Sequence, residues 1–250
     1  MLQLGATLPP GALIGAEALA LAEALQATGG AWFGASADDM VGGDGAVTGW
    51  RDRTGTLTAL ATDQNTANSR FAPGPPGAVL CEQGQHCGFC LADFAPDVVR
   101  FSAAVIYSSP LNDARTLVSV STGQANNLIF LGETEGHLSL KDRQSTAEVG
   151  LPIPPGLARP RLAVISFKTG GLHLRFAGRT VSADGRIPDM DHPGSLFIGC
   201  RSNRPGLLKT LGTSRLHDVL FWPDRAVLRS SDLADVAVLA ALDRYHRWTY

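Results

Sequence analysis

Lysine is nearly missing from this 250-residue chain. Three lysines stand beside eighteen arginines, and these 21 cations meet 23 carboxylates for a formal charge of −2. The cations form no run, and no ribonucleoprotein, zinc-finger or helix-turn-helix pattern accompanies them. The chain therefore lacks the electrostatic footprint of a nucleic-acid-binding protein. Four cysteines in 250 residues are too few for a disulfide-stapled scaffold. No run approaches the roughly 20 apolar residues that cross a bilayer, so membrane insertion is not expected. Met1-Leu2-Gln3-Leu4-Gly5 has no cationic leader, so synthesis and folding in the cytoplasm without a signal peptide are expected. A G-x-S-x-G nucleophile elbow is also missing, and Ser, His and Asp are too scattered to nominate a triad.

Forty-four per cent of the residues are hydrophobic, enough to bury one substantial core in a single main domain. Ile14, Ala18, Leu21 and Leu25 recur at helical spacing, with Glu17 and Glu23 off the stripe and Gly29-Gly30 as a stop. This predicts a helix over 11–28, either packed on the domain or serving as a docking handle. From Ala31 the period shifts to two. The clearest strands are 98–107, 116–120, 128–131, 137–140, 162–167, 172–176 and 196–199, separated by turn chemistry such as Glu135-Gly136 and Thr169-Gly170-Gly171. Strand after strand without intervening helices predicts two packed antiparallel sheets. A last helix is expected from about Ser231 to Arg247, with Ser231 as N-cap and Leu233, Val236, Ala237 and Ala240 as its buried stripe.

Two segments bracket the strands: Trp50-Arg51-Asp52-Arg53-Thr54-Gly55 near the start, and Ser214 to Trp222, a turn and a helix ending Arg244-Tyr245-His246-Arg247-Trp248 at the finish. This bracket resembles the concanavalin-A-like jelly rolls of the laminin-G-like group. There a W-x-D-x-[ST]-G segment enters the sandwich early, and an apolar strand, a short loop and a capping helix close it. Asp218 stands where Glu is commoner, and His246 where Leu is commoner. The resemblance implies an all-β, two-sheet antiparallel jelly-roll sandwich over 30–250, with an N-terminal helical segment over 1–29 and a C-terminal capping helix. It also implies a non-catalytic recognition module, usually for carbohydrate.

Related folds include glucanases, whose E-x-D-x-x-E device puts carboxylates on one strand face. None of the six glutamates here (Glu17, Glu23, Glu82, Glu133, Glu135, Glu148) fits that pattern. Glu133-Thr134-Glu135 reads as a solvated hairpin tip, so the chain is not expected to be an enzyme. Cys81, Cys87 and Cys90 lie within ten residues of one another, with His86 between them and Cys200 far along the chain. They read as small buried hydrophobes, with zinc ligation and a disulfide formed after release from the cell as alternatives; His86–Leu91 reads as a strand that turns Cys87 and Cys90 to opposite faces. Asp38, Asp39 and Asp44, and Asp189-Met190-Asp191-His192, read as solvated loops before calcium sites. No cofactor is expected.

Sugar recognition needs an apolar platform with planar polar groups beside it. Trp32, Trp50, Trp222 and Tyr107 read as core. The ligand-binding candidates are therefore the amide- and guanidinium-rich loops: Asn65, Asn68 and Arg70; Asn126 and Asn127; and Arg201, Asn203 and Arg204. The expected partner is cell-surface polysaccharide, met as the receptor-binding spike or fibre of a released phage-like particle or gene transfer agent. Residues 1–30 would dock to a spike, capsid or tail base protein, and self-association into a homo-oligomer is allowed for. The alternatives are a structural decoration or spike subunit that binds no ligand, and a divergent polysaccharide hydrolase or lyase.

Overall fold

The computed structural model describes residues 14–43, 45–124, 127–144, 146–156, 159–168, 170–184, 190 and 192–250. Among them the chain forms helix α1 (Ile14–Thr28), seventeen strands and helix α2 (Leu233–Thr249). The strands are β1 (Ala31–Gly34), β2 (Met40–Gly43), β3 (Ala46–Arg51), β4 (Thr58–Ala61), β5 (Arg70–Ala72), β6 (Ala78–Cys81), β7 (Phe89–Ala95), β8 (Arg100–Ser108), β9 (Val118–Ser121), β10 (Leu128–Thr134), β11 (His137–Asp142), β12 (Glu148–Pro152), β13 (Arg161–Lys168), β14 (Gly171–Phe176), β15 (Arg179–Asp184), β16 (Gly194–Ile198) and β17 (Ser214–Trp222).

Every pairing is antiparallel. One sheet runs β15–β14–β13–β8–β17, with β1 and β6 sharing the far edge of β17 and β5 beside β6. The other runs β2–β3–β4–β7–β16–β9–β10–β11–β12. The pairing of Ala46 with Arg70 joins them at one edge. The molecule is a two-sheet jelly-roll sandwich.

Strand alternation explains the packing. Along β8, Phe101, Ala103, Val105 and Tyr107 point into the core between the sheets, while Ala104 and Ile106 point outward under the helices. In β13, Ala163, Ile165 and Phe167 face inward, and Val164 faces the helices. The centre of the first sheet, β8, β13 and β17, is thus buried on both faces, which is why these strands read as unbroken apolar runs. Leu21 and Leu25 of α1 and Val238, Ala241, Leu242 and Tyr245 of α2 complete that outer layer with Leu220 and Trp222. Arg244 of α2 donates to Glu17 of α1 at 3.2 Å.

Three local expectations change. The α2 N-cap is Asp232, which accepts from the Ala234 N–H at 2.8 Å, rather than Ser231. The buried stripe of α2 is Asp235, Val238, Ala241, Leu242 and Tyr245; Leu233 and Val236 are 83% and 53% exposed. The buried face is the one on which Val238, Ala241, Leu242 and Tyr245 pack on the first sheet, and Asp235 on that face pairs with Arg225. Glu133 is not at a solvated tip either. The two-residue turn is Glu135-Gly136, both at positive φ, so β10 continues through Thr134 and Glu133 points into the interior with 0% exposure. There Arg161 Nη1 and the Tyr107 hydroxyl both donate to its Oε2 at 2.7 Å.

Replacing Arg161 with Met strands that carboxylate in the core and is expected to cost about 3–5 kcal/mol in urea unfolding, most of it recovered when Glu133→Gln is added. The second expectation concerns pH. His217 donates from Nδ1 to the Gly77 carbonyl at 2.7 Å and takes the Ser108 hydroxyl on Nε2 at 3.0 Å. Burial lowers its pKa, with the Gly77 hydrogen bond opposing and Arg215 adding to the shift. The native state favours neutral imidazole, so this contribution is complete above about pH 6.5 and is lost as pH falls through the lowered native value. His217→Asn, which keeps a donor toward Gly77, is expected to flatten the fall in melting temperature between pH 7.5 and 5.

Candidate functional site

The outer face of the second sheet is covered by connections where that of the first carries α1 and α2. Leu128, Ser121, Ser195 and Phe197 occupy the outward positions of β10, β9 and β16, between the inward Ile129, Val120, Leu196 and Ile198. Two connections rise beside them: Thr122–Gln124, which leads toward β10, and Arg201–Leu207, which follows β16. Together they enclose a cleft of about 370 Å³ lined by Leu128, Phe197, Gln124, Arg143, Arg201, Asn203 and Arg204, with serine hydroxyls at its base.

The floor is anchored from its side. Phe197 packs against Cys200, Leu211 and Cys90. Cys200 is accommodated because residue 88 is glycine; a Cβ there would sit 2.1 Å from the Cys200 sulfur. Arg201 is held at two points: its Cζ lies 3.7 Å over the Phe130 ring, and its Nε donates to Thr116 Oγ1 at 3.1 Å. Thr116 in turn donates to the Thr210 carbonyl at 2.9 Å. Burial, with the nearby Arg143 charge, lowers the Arg201 pKa to about 10, leaving it cationic at neutral pH.

Arg201, Asn203 and Arg204 meet in this cleft, and Gln124 joins them from the second expected loop. Asn127 closes the base of that loop, its N–H donating to the Gln124 carbonyl at 3.1 Å and its carbonyl accepting from Thr122. Asn126 lies outside the described residues. The first expected loop is elsewhere. Asn65, 5% exposed, donates to Ser69 Oγ at 2.7 Å and to the Gly88 carbonyl at 3.1 Å, and accepts from the Asn68 and Ser69 N–H groups. Asn68 donates to the His86 carbonyl at 2.8 Å, and Arg70 opens β5, paired with Ala46 and Leu80. These amides fasten their own loop to the strand entrance. Phe197, Leu128 and Arg143 escaped the sequence reading; the first two carry a signal in strand alternation, since each is an apolar residue on the face opposite the core.

Among the described residues, no group of three His, Cys, Asp or Glu side chains is placed to hold a metal ion. All four cysteines are free. Cys87 faces the core and Cys90 the outer patch, although β7 begins at Phe89 rather than at His86. Asp39 pairs with Arg53 at 2.9 Å; Asp44, Asp189 and Asp191 lie outside the described residues. Trp32, Trp50, Trp222 and Tyr107 are all buried.

No protein-family model matches the chain, and no curated protein matches it in sequence. Solved structures share its fold. Domain 4 of AbnA, a GH43 extracellular arabinanase from Geobacillus stearothermophilus, solved in complex with arabinotriose, is 15% identical over 84% of this chain and 96% of that domain, at a TM-score of 0.59. A botulinum neurotoxin type C structure, concerned with interaction with two ganglioside molecules, is 10% identical over 83% of this chain and 52% of that one, at 0.52. Domains LG4-5 of the mouse laminin alpha1 chain align over 64% of this chain and 48% of theirs, at 0.45 and 14% identity. The chain spans about half of the toxin and laminin chains. At these identities the likeness is one of fold.

Asn65→Ala removes four hydrogen bonds from a buried loop and is expected to cost about 1–3 kcal/mol, read as a lower urea midpoint at unchanged m.

Proposed function

We propose that this protein is a non-catalytic carbohydrate-recognition module that binds polysaccharide in the cleft on the outer face of the second sheet. The observation that carries the reading is the composition of that cleft. A narrow apolar floor, Leu128 at 8% and Phe197 at 6% exposure, is ringed by the amides of Gln124 and Asn203 and by guanidinium groups. That combination suits a sugar ring, which has an apolar face and a rim of hydroxyls. Domains of this fold have been solved with arabinotriose or studied for ganglioside interaction, which is consistent with the reading without carrying it. Binding in place of cleavage is favoured by Glu133, the one member of the Glu133/Glu135 pair inside a strand, being committed to Arg161 and Tyr107 in the core.

The fuller reading is a receptor-binding spike or fibre component of a phage-like particle that touches host surface polysaccharide. Its layout supports this. The cleft opens on the second sheet, whereas α1 and α2 cover the first, so glycan contact and attachment to a base would use opposite faces. A structural decoration subunit is the second reading, favoured by Leu233 and Val236, which stand exposed one turn apart on α2.

Saturable binding of extracted host surface polysaccharide, with no release of reducing ends in the same tube, is expected. The double variant Gln124→Ala/Asn203→Ala, at surface positions, should weaken that binding about ten-fold or more while the melting temperature holds. Sugar release would overturn the non-catalytic reading. Concentration-dependent mass with no glycan affinity would transfer the weight to the structural subunit.

A further inference from the structure

The charged residues lining the cleft are of one sign. Arg143, Arg201 and Arg204 line it, and no Asp or Glu does among the described residues. This is unusual in a chain whose carboxylates outnumber its cations. The neighbouring cavity shows the contrast: Arg201 also lines it, but Asp113 and Glu135 are there with Arg115 and Lys209, and Arg115 is paired with Asp113 at 2.9 Å.

Arg201 is also built as a receptor. Its ring stack on Phe130 and its Nε bond to Thr116 fix the guanidinium plane, while its four Nη N–H donors make no hydrogen bond with the described residues. A planar guanidinium held along one edge presents the other for two parallel hydrogen bonds to a carboxylate or a similar oxyanion. Partial burial strengthens such a contact, because water competes less for it. Arg204 stands on the same loop, exposed, and forms no ion pair among the described residues.

We infer that the cleft selects acidic saccharides, with Arg201 receiving a sugar carboxylate or sulfate over the Phe130 ring and Arg204 adding a second cationic contact at the rim. This rests on the recognition reading above and narrows it to a ligand class. A nucleic acid would offer the same anionic chemistry, but the net charge of −2 opposes a long polyphosphate, and the cations are confined to one cleft with an apolar floor. One acidic group per few sugars fits that confinement.

The test uses the full chain and five probes: polygalacturonate, its carboxyl-reduced product, heparin, dextran and polyuridylate. Expected is binding to polygalacturonate or heparin that weakens as salt rises from 0.05 to 0.5 M and exceeds binding to the two neutral polymers and polyuridylate by about ten-fold or more. Arg204→Met, at an exposed position, and Arg201→Gln should each reduce acidic-polymer affinity about ten-fold. Arg179→Met, on β15 of the other sheet, should leave it unchanged. Equal binding of the acidic and carboxyl-reduced polymers, or unchanged affinity in both cleft variants, overturns the acidic selection and leaves saccharide recognition standing. Equal or tighter binding of polyuridylate overturns the saccharide assignment itself. Failure to bind any of the five overturns the inference; if extracted host polysaccharide also fails to bind, the recognition reading falls with it.

Discussion

The buried carboxylate of Asp218 ties the covered half of the sandwich together. It lies on β17 where a register shift interrupts pairing with β8 between Leu216 and Asp218, and the bulge turns it under the helices. Trp32 Nε1 of β1 donates to one oxygen at 2.7 Å; the hydroxyls of Tyr245 and Tyr250, from the end of α2, donate to the other. Burial raises its pKa, with Arg53 and those donors opposing. Arg53 lies 4.4 Å over the Trp32 ring and reaches Asp39 at 2.9 Å. One side chain thus joins the first strand, the last strand and the last helix, contacts separated by as many as 186 positions in sequence.

The consequence is an asymmetric sandwich. With α1 and α2 fixed over the first sheet, the outer apolar residues of β8, β13 and β17 are removed from water. The second sheet carries connections there instead of helices, and its outward positions include Leu128 and Phe197 beside serines. Rigid strands carrying connections that differ freely in sequence are a common way to build a binding face, and here the Arg201–Leu207 connection supplies most of the polar lining.

Particular residues show how far the chain could be read directly. In the Trp50–Gly55 segment the recognisable residues each have a structural role: Trp50 Nε1 donates to the Gly34 carbonyl at 2.9 Å, Asp52 accepts from the Trp32 and Thr54 N–H groups, and Gly55 takes a positive φ. β8, β13, β14 and β17 of the first sheet were legible from their apolar runs. β12 and β15 were not, because each is short and alternates small or polar residues in a way that only pairing with a neighbour explains. Arg201, Asn203 and Arg204 were found by their chemistry, as loop donors. Asn65 and Asn68 have the same chemistry, yet their donors are spent inside the protein. Composition cannot separate an amide that fastens a loop from one that faces a cleft, because the difference lies in which carbonyl stands opposite.

Local signals in the chain set its secondary structure: alternation of apolar residues with turn chemistry every few positions dictates antiparallel strands, and the stripe of α1 and the capped run of α2 dictate a helix at each end. Those signals are local, set by periods of two and 3.6 residues. Tertiary structure alone decided where the charges went. It turned Glu133 inward to Arg161, brought Asp235 of α2 to Arg225, and assembled three arginines from two distant segments around an apolar floor, because each of these placements depends on residues brought together across 10 to 61 positions of chain.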